Sequence, residues 1–339
     1  MPTPVRRKLL ALLCVVLVGL AVAGTALAGN GGVGPPPPES PNAARIRGAY
    51  WLILGISGGI FLLVEGLLVL FVVRFRRAGR PRNADGPQIH GATRLELIWT
   101  VIPVLILAAI ASFVFYKLPG IKDVPSAKAE GGRLEIRVEG HQFYWEFHYP
   151  NGVISINRMR VPAGQTVRLT VVSPDVAHSW WIPRLGGKID AIPGRTNHTW
   201  FRVEKPGVYG GQCAEFCGIQ HAQMLAVVDA VPRTTFESWL SSEASAQSAG
   251  TSTLGQETFR GVCAPCHGER GQGSIGPKLQ GNPLFNDRNG ITSLLRNGRY
   301  TSASRFMPAV GKTWDDRQLK ATIAYLRGRF APKGGTSGG

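Results

Sequence analysis

Acidic residues are in short supply. The 339 residues hold 21 Asp and Glu against 38 Lys and Arg, a formal charge of +17 at pH 7. Such an excess is common in nucleic-acid binders, but no nucleic-acid motif is present. Six of the basic residues lie between two apolar stretches, where membrane topology accounts for them better. Nothing resembles a catalytic triad or a phosphate-binding loop, so hydrolytic and nucleotide chemistry have no residues to work with. Cysteine is also scarce. There are five, at 14, 213, 217, 263 and 266, and the last four form two close pairs. After residue 240 the chain has one histidine, His267, and one methionine, Met307.

The first residues read as an export leader. Arg6, Arg7 and Lys8 precede the apolar Leu9–Val22, and Ala26-Leu27-Ala28 is a small-residue cleavage site, which predicts a signal peptide over 1–28. A retained first helix is the alternative. Cleavage removes Cys14. Residues 29–44 follow as a Gly/Pro-rich linker. Tyr50–Val73 is an apolar run of 24 residues with one charge, Glu65, and a second run covers Leu95–Tyr116. Each is long enough to cross a bilayer. Tyr50, Trp51, Trp99 and Tyr116 near the run ends suit the lipid–water interface. The expectation is a two-helix transmembrane hairpin over 45–116. Its loop, 74–94, carries Arg74, Arg76, Arg77, Arg80, Arg82 and Arg94 against Asp85. The positive-inside rule puts that loop in the cytoplasm and both flanking parts outside. The location read from this is a bacterial-type cell membrane, crossed more than once and in contact with lipid, with the rest of the chain on the outer, periplasmic face.

Beyond Tyr116 the pattern changes. Alternating segments such as Leu134–Glu139, Val167–Val172, Thr199–Val203 and Met224–Val231, separated by Pro/Gly turns, predict a β-sandwich within 117–240. The Ser/Ala/Gly-rich 241–253 reads as a second linker, 254–330 as a small all-α domain, and 331–339 as a disordered tail.

The most specific feature is Cys213-Ala-Glu215-Phe-Cys217-Gly-Ile-Gln-His221-Ala-Gln-Met224. Thiolate, imidazole and thioether donors together favour copper. One cysteine would make a mononuclear site. A second, four residues on, lets both thiolates bridge two ions. Each copper then needs one histidine, which His221 and the upstream His178 supply. Met224 is a weak ligand for one copper, and the Glu215 carbonyl is placed for the other. A Cys213–Cys217 disulfide or a structural zinc would use the same residues, but neither needs Met224.

The second cysteine pair is Cys263-Ala-Pro-Cys266-His267, the C-x-x-C-H pattern of covalent c-type haem. In that reading His267 ligates the iron and, by elimination, Met307 is the other axial ligand, in a loop before a helix over Asp315–Phe330. A thioredoxin-like redox pair is the alternative, but no βαβ pattern surrounds it. Gly276-Pro277-Lys-Leu279 resembles the loop that packs on the haem in small cytochromes c.

Over residues 45–232 the chain resembles subunit II of the cytochrome c oxidases. The likeness rests on Glu96-Leu-Ile-Trp99-Thr-Val-Ile-Pro103, Gly140-His141-Gln142 before an aromatic cluster, Asp190-Ala-Ile-Pro193-Gly194-Arg195 and the Cys213–Met224 motif. With the fused cytochrome, the resemblance is to the caa type. It implies a cupredoxin sandwich with a binuclear CuA centre that passes electrons to haem in subunit I, where oxygen reduction drives proton pumping. It also implies other oxidase subunits as partners, a magnesium ion reached by the Glu215 carboxylate at the subunit I interface, and a proton-channel entrance at Glu96. The chain itself carries electrons and does not reduce oxygen. A subunit of a nitric-oxide-reducing relative, or a free-standing membrane-anchored carrier, is the competing reading. One position departs from the family. The cluster Phe143-Tyr144-Trp145 has Phe143 where relatives that use a soluble donor place a tryptophan at which electrons arrive. Residues 254–330 carry twelve basic and five acidic residues, so an acidic donor, a cytochrome c or a bc-type complex, is expected to meet the haem domain first.

Overall fold

The computed structural model describes residues 34–75, 88, 90–126, 132–250, 253–302 and 305–332. The leader expected at 1–28, most of the basic loop 74–94 and all but the first two residues of the tail lie outside the described residues. The chain forms two compact units, one made of residues up to 37 with 44–123, the other of 38–43 with 124 onward.

The first unit holds α1 (Pro41–Phe75) apart from its first three residues, α2 (Thr93–Lys117) and the single turn α3 (Pro119–Lys122). α1 starts nine residues before the apolar run expected from Tyr50. Proline is tolerated at a first helical position, and the Ala43-Ala44-Arg45 that follows favours helix. The 29–44 linker is therefore shorter than expected. Its last residues are also held: the Glu39 N–H donates to the Arg184 carbonyl at 2.8 Å, and Asn42 Nδ2 donates to the Trp200 carbonyl at 2.5 Å. Apolar side chains face outward all round α1 and α2, with Leu62 68%, Phe71 51% and Leu105 62% exposed. Both helices are long and apolar enough to cross a membrane, and neither shows a polar face. At the start of α2, Glu96 Oε1 accepts from the Ala92 N–H at 3.1 Å, which places an acid at the positive end of the helix.

The second unit contains a sandwich of two five-stranded sheets. The strands are β1 (Arg133–His141), β2 (Tyr144–His148), β3 (Ile154–Ile156), β4 (Arg158–Pro162), β5 (Thr166–Val172), β6 (His178–Trp181), β7 (Ile189–Ala191), β8 (Asn197–Arg202), β9 (Gly207–Cys213) and β10 (Leu225–Val231). One sheet runs β3-β2-β1-β5-β8, the other β4-β10-β9-β6-β7. Alternation does its work as expected: Leu134, Ile136 and Val138 of β1 point into the core. Trp180 meets Trp145 and Phe147 edge-on, with ring centres 5.2 and 5.5 Å apart. Trp145 in turn lies 6.0 Å from the ring of His178, so the core's largest side chain backs the first candidate ligand.

The linker expected over 241–253 is largely helix. α4 (Arg233–Ala249) runs through it and ends at Gly250, whose φ of +71° suits a helix stop. Alanine and serine suffice for helix once tertiary contacts fix them. Here Phe236 packs on Tyr149, and the buried Gln247 amide bonds both ways to the Ile154 backbone, at 3.1 and 2.8 Å.

The haem-type region has α5 (Leu254–Thr258), a π-turn over Phe259–Cys263, α6 (Ala264–His267), α7 (Arg288–Asn297) and α8 (Asp316–Phe330). Asp287 and Asp315 cap the last two through their side chains. It is not all helix. β11 (Arg299–Ser302) and β12 (Arg305–Met307) form a hairpin, with Tyr300 stacked on its cross-strand neighbour Phe306. Met307, expected in a loop, ends β12.

This region docks on β2 and β3. Asn157, held at φ +57°, accepts from the Trp145 N–H and donates to the Gly261 carbonyl at 3.1 Å. Trp314 Nε1 donates to the Tyr144 hydroxyl at 2.8 Å, which donates onward to the Val310 carbonyl at 3.0 Å. Tyr144 is fully buried. Tyr144→Phe would strand the Trp314 N–H and the Val310 carbonyl. We expect a loss of about 1–3 kcal/mol in stability, read as a lower unfolding midpoint for the purified chain. An unchanged midpoint would show that these bonds carry no part of the docking.

Candidate functional site

The copper-type ligands come from two places on one sheet. β6 begins with His178, and the loop from the end of β9 to the start of β10 carries Cys213, Glu215, Cys217, His221 and Met224. The two sulfurs of Cys213 and Cys217 lie 4.0 Å apart, about twice a disulfide length, and both cysteines are free. His178 Nδ1 is 3.9 Å from Cys213 Sγ, and His221 Nδ1 is 3.6 Å from Cys217 Sγ. Met224 Sδ is 3.8 Å from Cys217 Sγ, and the Glu215 carbonyl is 3.2 Å from Cys213 Sγ. Each imidazole thus faces its own sulfur across a shared sulfur pair. The disulfide alternative has no bond, and a four-ligand zinc site would leave Met224, 1% exposed and aimed at the cluster, without a purpose. The donor set fits two coppers.

Electrostatics prepare the thiols. The hydrogen bond shared with Cys217, above all, pulls the Cys213 thiol down to about 3 against the cost of burial, with help from His178 and backbone groups. The same hydrogen bond, with burial, pushes the Cys217 thiol up. Metal binding would take the place of the thiol protons. Asp175, three residues before His178, was not singled out in the sequence. Its carboxylate lies 2.8 Å from His178 Nε2 and fixes the ring so that Nδ1 faces the sulfurs. Burial pulls the His178 pKa down, but Asp175 and Cys213 outweigh it and the net shift is upward. Gln142, which the sequence offers only as part of the Gly140-His141-Gln142 motif, braces the same loop: its amide donates to the Cys217 carbonyl at 2.7 Å.

Cys263, Cys266, His267 and Met307 all line one cavity of about 630 Å³, a size suited to a cofactor. Its other walls are mainly apolar, among them Val262, Leu279, Leu295, Phe306 and Leu326. His267 Nδ1 lies 2.8 Å from the Pro277 carbonyl, so that nitrogen is occupied and Nε2 is left for a metal. A Cβ on Gly276 would stand 2.8 Å from His267 Cε1, which explains glycine at that close approach. Burial pushes the Cys263 thiol up to about 12 and raises Cys266 as well, so both remain thiols in the free chain. Two thiols, one free imidazole nitrogen and a thioether around an apolar cavity fit haem.

The cavity is not walled by its own domain alone. Gln142, Phe143 and Gln220 of the copper domain also line it. Gln220 Nε2 donates to Cys266 Sγ at 3.0 Å. The structure therefore brings the two candidate centres together through residues that sequence spacing gave no reason to pair. Of the aromatic cluster, Phe143 faces the haem cavity, Tyr144 the domain interface and Trp145 the sandwich core. Glu96 lies in the other unit.

His141 and His148, which have no ligand spacing in sequence, meet Glu139 and Glu146 on one face of β1 and β2. Atoms of Glu139, Glu146 and His148 approach within 4.8 Å. The carboxylates are already engaged: Arg137 Nε donates to Glu139 at 2.6 Å and Gln318 Nε2 to Glu146 at 2.9 Å. Glu139 and Glu146 are direct cross-strand neighbours, an arrangement that repels unless cations intervene. Burial works against the charged forms, yet hydrogen bonds from His141 and Arg137 hold Glu139 at about 2. Burial likewise opposes charge on His148, but Glu146 and Glu139 win and its pKa is raised.

Three family descriptions match the chain. "Cytochrome C oxidase subunit II, transmembrane domain" matches residues 30–116, and the periplasmic domain of the same subunit matches 153–231. "Cytochrome C oxidase, cbb3-type, subunit III" matches 251–326. Cytochrome c oxidase subunit 2 of Alkalihalophilus pseudofirmus is 32% identical over 311 residues, 86% of this chain and 89% of that protein. The same subunit of Cereibacter sphaeroides is 32% identical over 249 residues, 62% of this chain and 80% of that protein. The crystal structure of the periplasmic domain of subunit II of cytochrome oxidase of Bradyrhizobium japonicum is 35% identical over 36% of this chain and 97% of that one, with a TM-score of 0.34.

The His148 network gives a pH test. A raised pKa means that protonated His148 stabilises the folded chain fully below about pH 6.5, and that this is lost as pH rises through the folded value. His148→Gln is expected to lower the unfolding midpoint most in acid, with the gap to the parent closing at alkaline pH. Thermal melts of both chains across this range decide it, and a gap that does not change with pH contradicts the assignment.

Proposed function

The chain belongs to the cytochrome c oxidase subunit II family, and on that premise we propose that its fused cytochrome receives the electron first and hands it to a binuclear copper centre. It is the electron-transfer subunit of a haem–copper oxidase and works with the other oxidase subunits. The observation that carries the proposal is the position of Phe143. The residue standing where soluble-donor relatives place their tryptophan lines the haem cavity. The haem domain thus covers the place where a donor would dock on the copper domain.

In this reading Cys263 and Cys266 bind the haem covalently, His267 and Met307 hold its iron, and Met/His ligation suits electron transfer at a raised potential. His178, Cys213, Cys217, His221, Met224 and the Glu215 carbonyl hold the two coppers. Haem and copper each supply a one-electron carrier. The residues of this chain position both carriers, exclude water from them and take no part in oxygen chemistry. From copper the electron goes to subunit I. Phe216 and Ile219, 76% and 70% exposed, flank the copper loop beside the exposed Glu215. An exposed apolar pair at that point fits a buried contact with a partner subunit, and the Glu215 carboxylate is then available to a magnesium ion there. Glu96, at the outset of α2, is the proposed entrance for protons. The copper and haem domains lie on the outer side of a bacterial-type membrane that the chain crosses twice, and the basic charge of residues 254–330 favours an acidic donor.

Stopped-flow reduction by an acidic cytochrome tests the order. The full holo chain is compared with one ending after Gly250, since α4 belongs to the copper domain. Haem is expected to reduce before copper in the full chain, and copper in the shortened chain to reduce far more slowly. Equal copper rates in the two chains overturn the proposal.

A further inference from the structure

The hydrogen bond between the two domains at Gln220 has a consequence for the transfer itself. Gln220 is 3% exposed, next in sequence to His221, and its amide Nε2 donates to Cys266 Sγ at 3.0 Å. Resting on the reading that haem passes its electron to copper, we infer that Gln220 is the positioning residue that couples the haem-bearing sulfur of Cys266 to the copper ligand His221. Five consecutive links make the path: the sulfur, the N–H···S contact, the Gln220 side chain, the Gln220–His221 peptide and the imidazole.

Three features of the local fold support this role. The amide has little freedom, because the copper loop is pinned around it: His221 N–H donates to the Gly218 carbonyl at 3.0 Å, and Gly218 holds φ +130°. A side chain on Gly218 would come 3.0 Å from the Phe143 ring and 3.1 Å from Gln142 Nε2, so the loop lies flat on the residues that also wall the haem cavity. Finally, glutamine suits a sulfur acceptor. It offers an N–H without a charge, so it holds the contact in either redox state and adds no electrostatic cost to the arrival of an electron. A tunnelling electron crosses bonded and hydrogen-bonded atoms more readily than a gap of the same length. The transfer takes one electron from ferrous haem iron, which becomes ferric, to the oxidised copper pair, which becomes reduced by one. No bond forms or breaks and no proton moves.

An N–H aimed at a haem-bearing sulfur also withdraws electron density, so its loss lowers the haem potential. That second effect makes the role separable from packing. Gln220→Leu keeps the reach and removes the N–H. Gln220→Glu keeps the shape and presents an acceptor to the sulfur. In the full holo chain, one electron is injected into the haem by a photoexcited ruthenium complex and followed optically into copper. A redox titration gives the haem potential, and electron paramagnetic resonance reports the copper pair. Both variants are expected to show a severalfold slower haem-to-copper step and a lower haem potential, with the copper signal unchanged. Parental rate and potential in both variants, or a changed copper signal that accounts for the slower step, overturn the inference while leaving the haem-first order standing. No haem-to-copper step in the parent chain overturns that order as well.

Discussion

Everything this chain does with two redox centres depends on one buried contact, the seating of the cytochrome region on strands β2 and β3. Tyr144 is central to it. Its hydroxyl, fully buried and kept neutral by that burial, joins Trp314 of one domain to the carbonyl of Val310 through the copper domain's own strand. A polar chain of this kind costs about 1–3 kcal/mol if a member loses its partner, so it favours one docking pose. A flexible tether would bring haem and copper together only as often as diffusion allowed. The helix α4, tied to Ile154 by Gln247, and the contacts of Asn157 and Gln318 replace that tether with a fixed seat.

The same strands do double duty. β2 supplies Trp145 to the sandwich core beneath His178, Tyr144 to the domain interface and Glu146 to Gln318. A strand offers alternate residues to opposite faces, so one short segment can build the copper support and the haem seat at once. The copper loop does likewise. One side carries thiolates whose first proton is loosened by their mutual hydrogen bond, and the other side reaches the haem cavity through Gln220.

Much of this was legible in the sequence, and for physical reasons. Cys213, Cys217, His221 and Met224 sit within twelve residues, because a loop between two strands can turn its donors inward at such spacing. Cys263, Cys266 and His267 are likewise a local pattern. The two long apolar helices were plain because a helix that crosses lipid needs an apolar run of about 20 residues. What escaped was non-local or fixed by context. Asp175 looks like any turn residue until His178 folds over it. Gln220 has no signature at all, since its partner lies 46 positions away. The Ser/Ala-rich 241–249 reads as a flexible connector by composition, and only the Gln247 and Phe236 contacts make it a helix. Met307 reads as a loop residue in sequence, because Tyr300 and Phe306 declare a strand only when they face each other.

A cytochrome seated in this way would hold its haem at one distance from the copper pair. Pulsed electron paramagnetic resonance between ferric haem and the oxidised copper centre, in the frozen holo chain, measures that distance directly. A fixed seat gives one short and narrow distance distribution, unchanged by glycerol or salt. A broad or long distribution would mean that the cytochrome swings on a tether, and would contradict it.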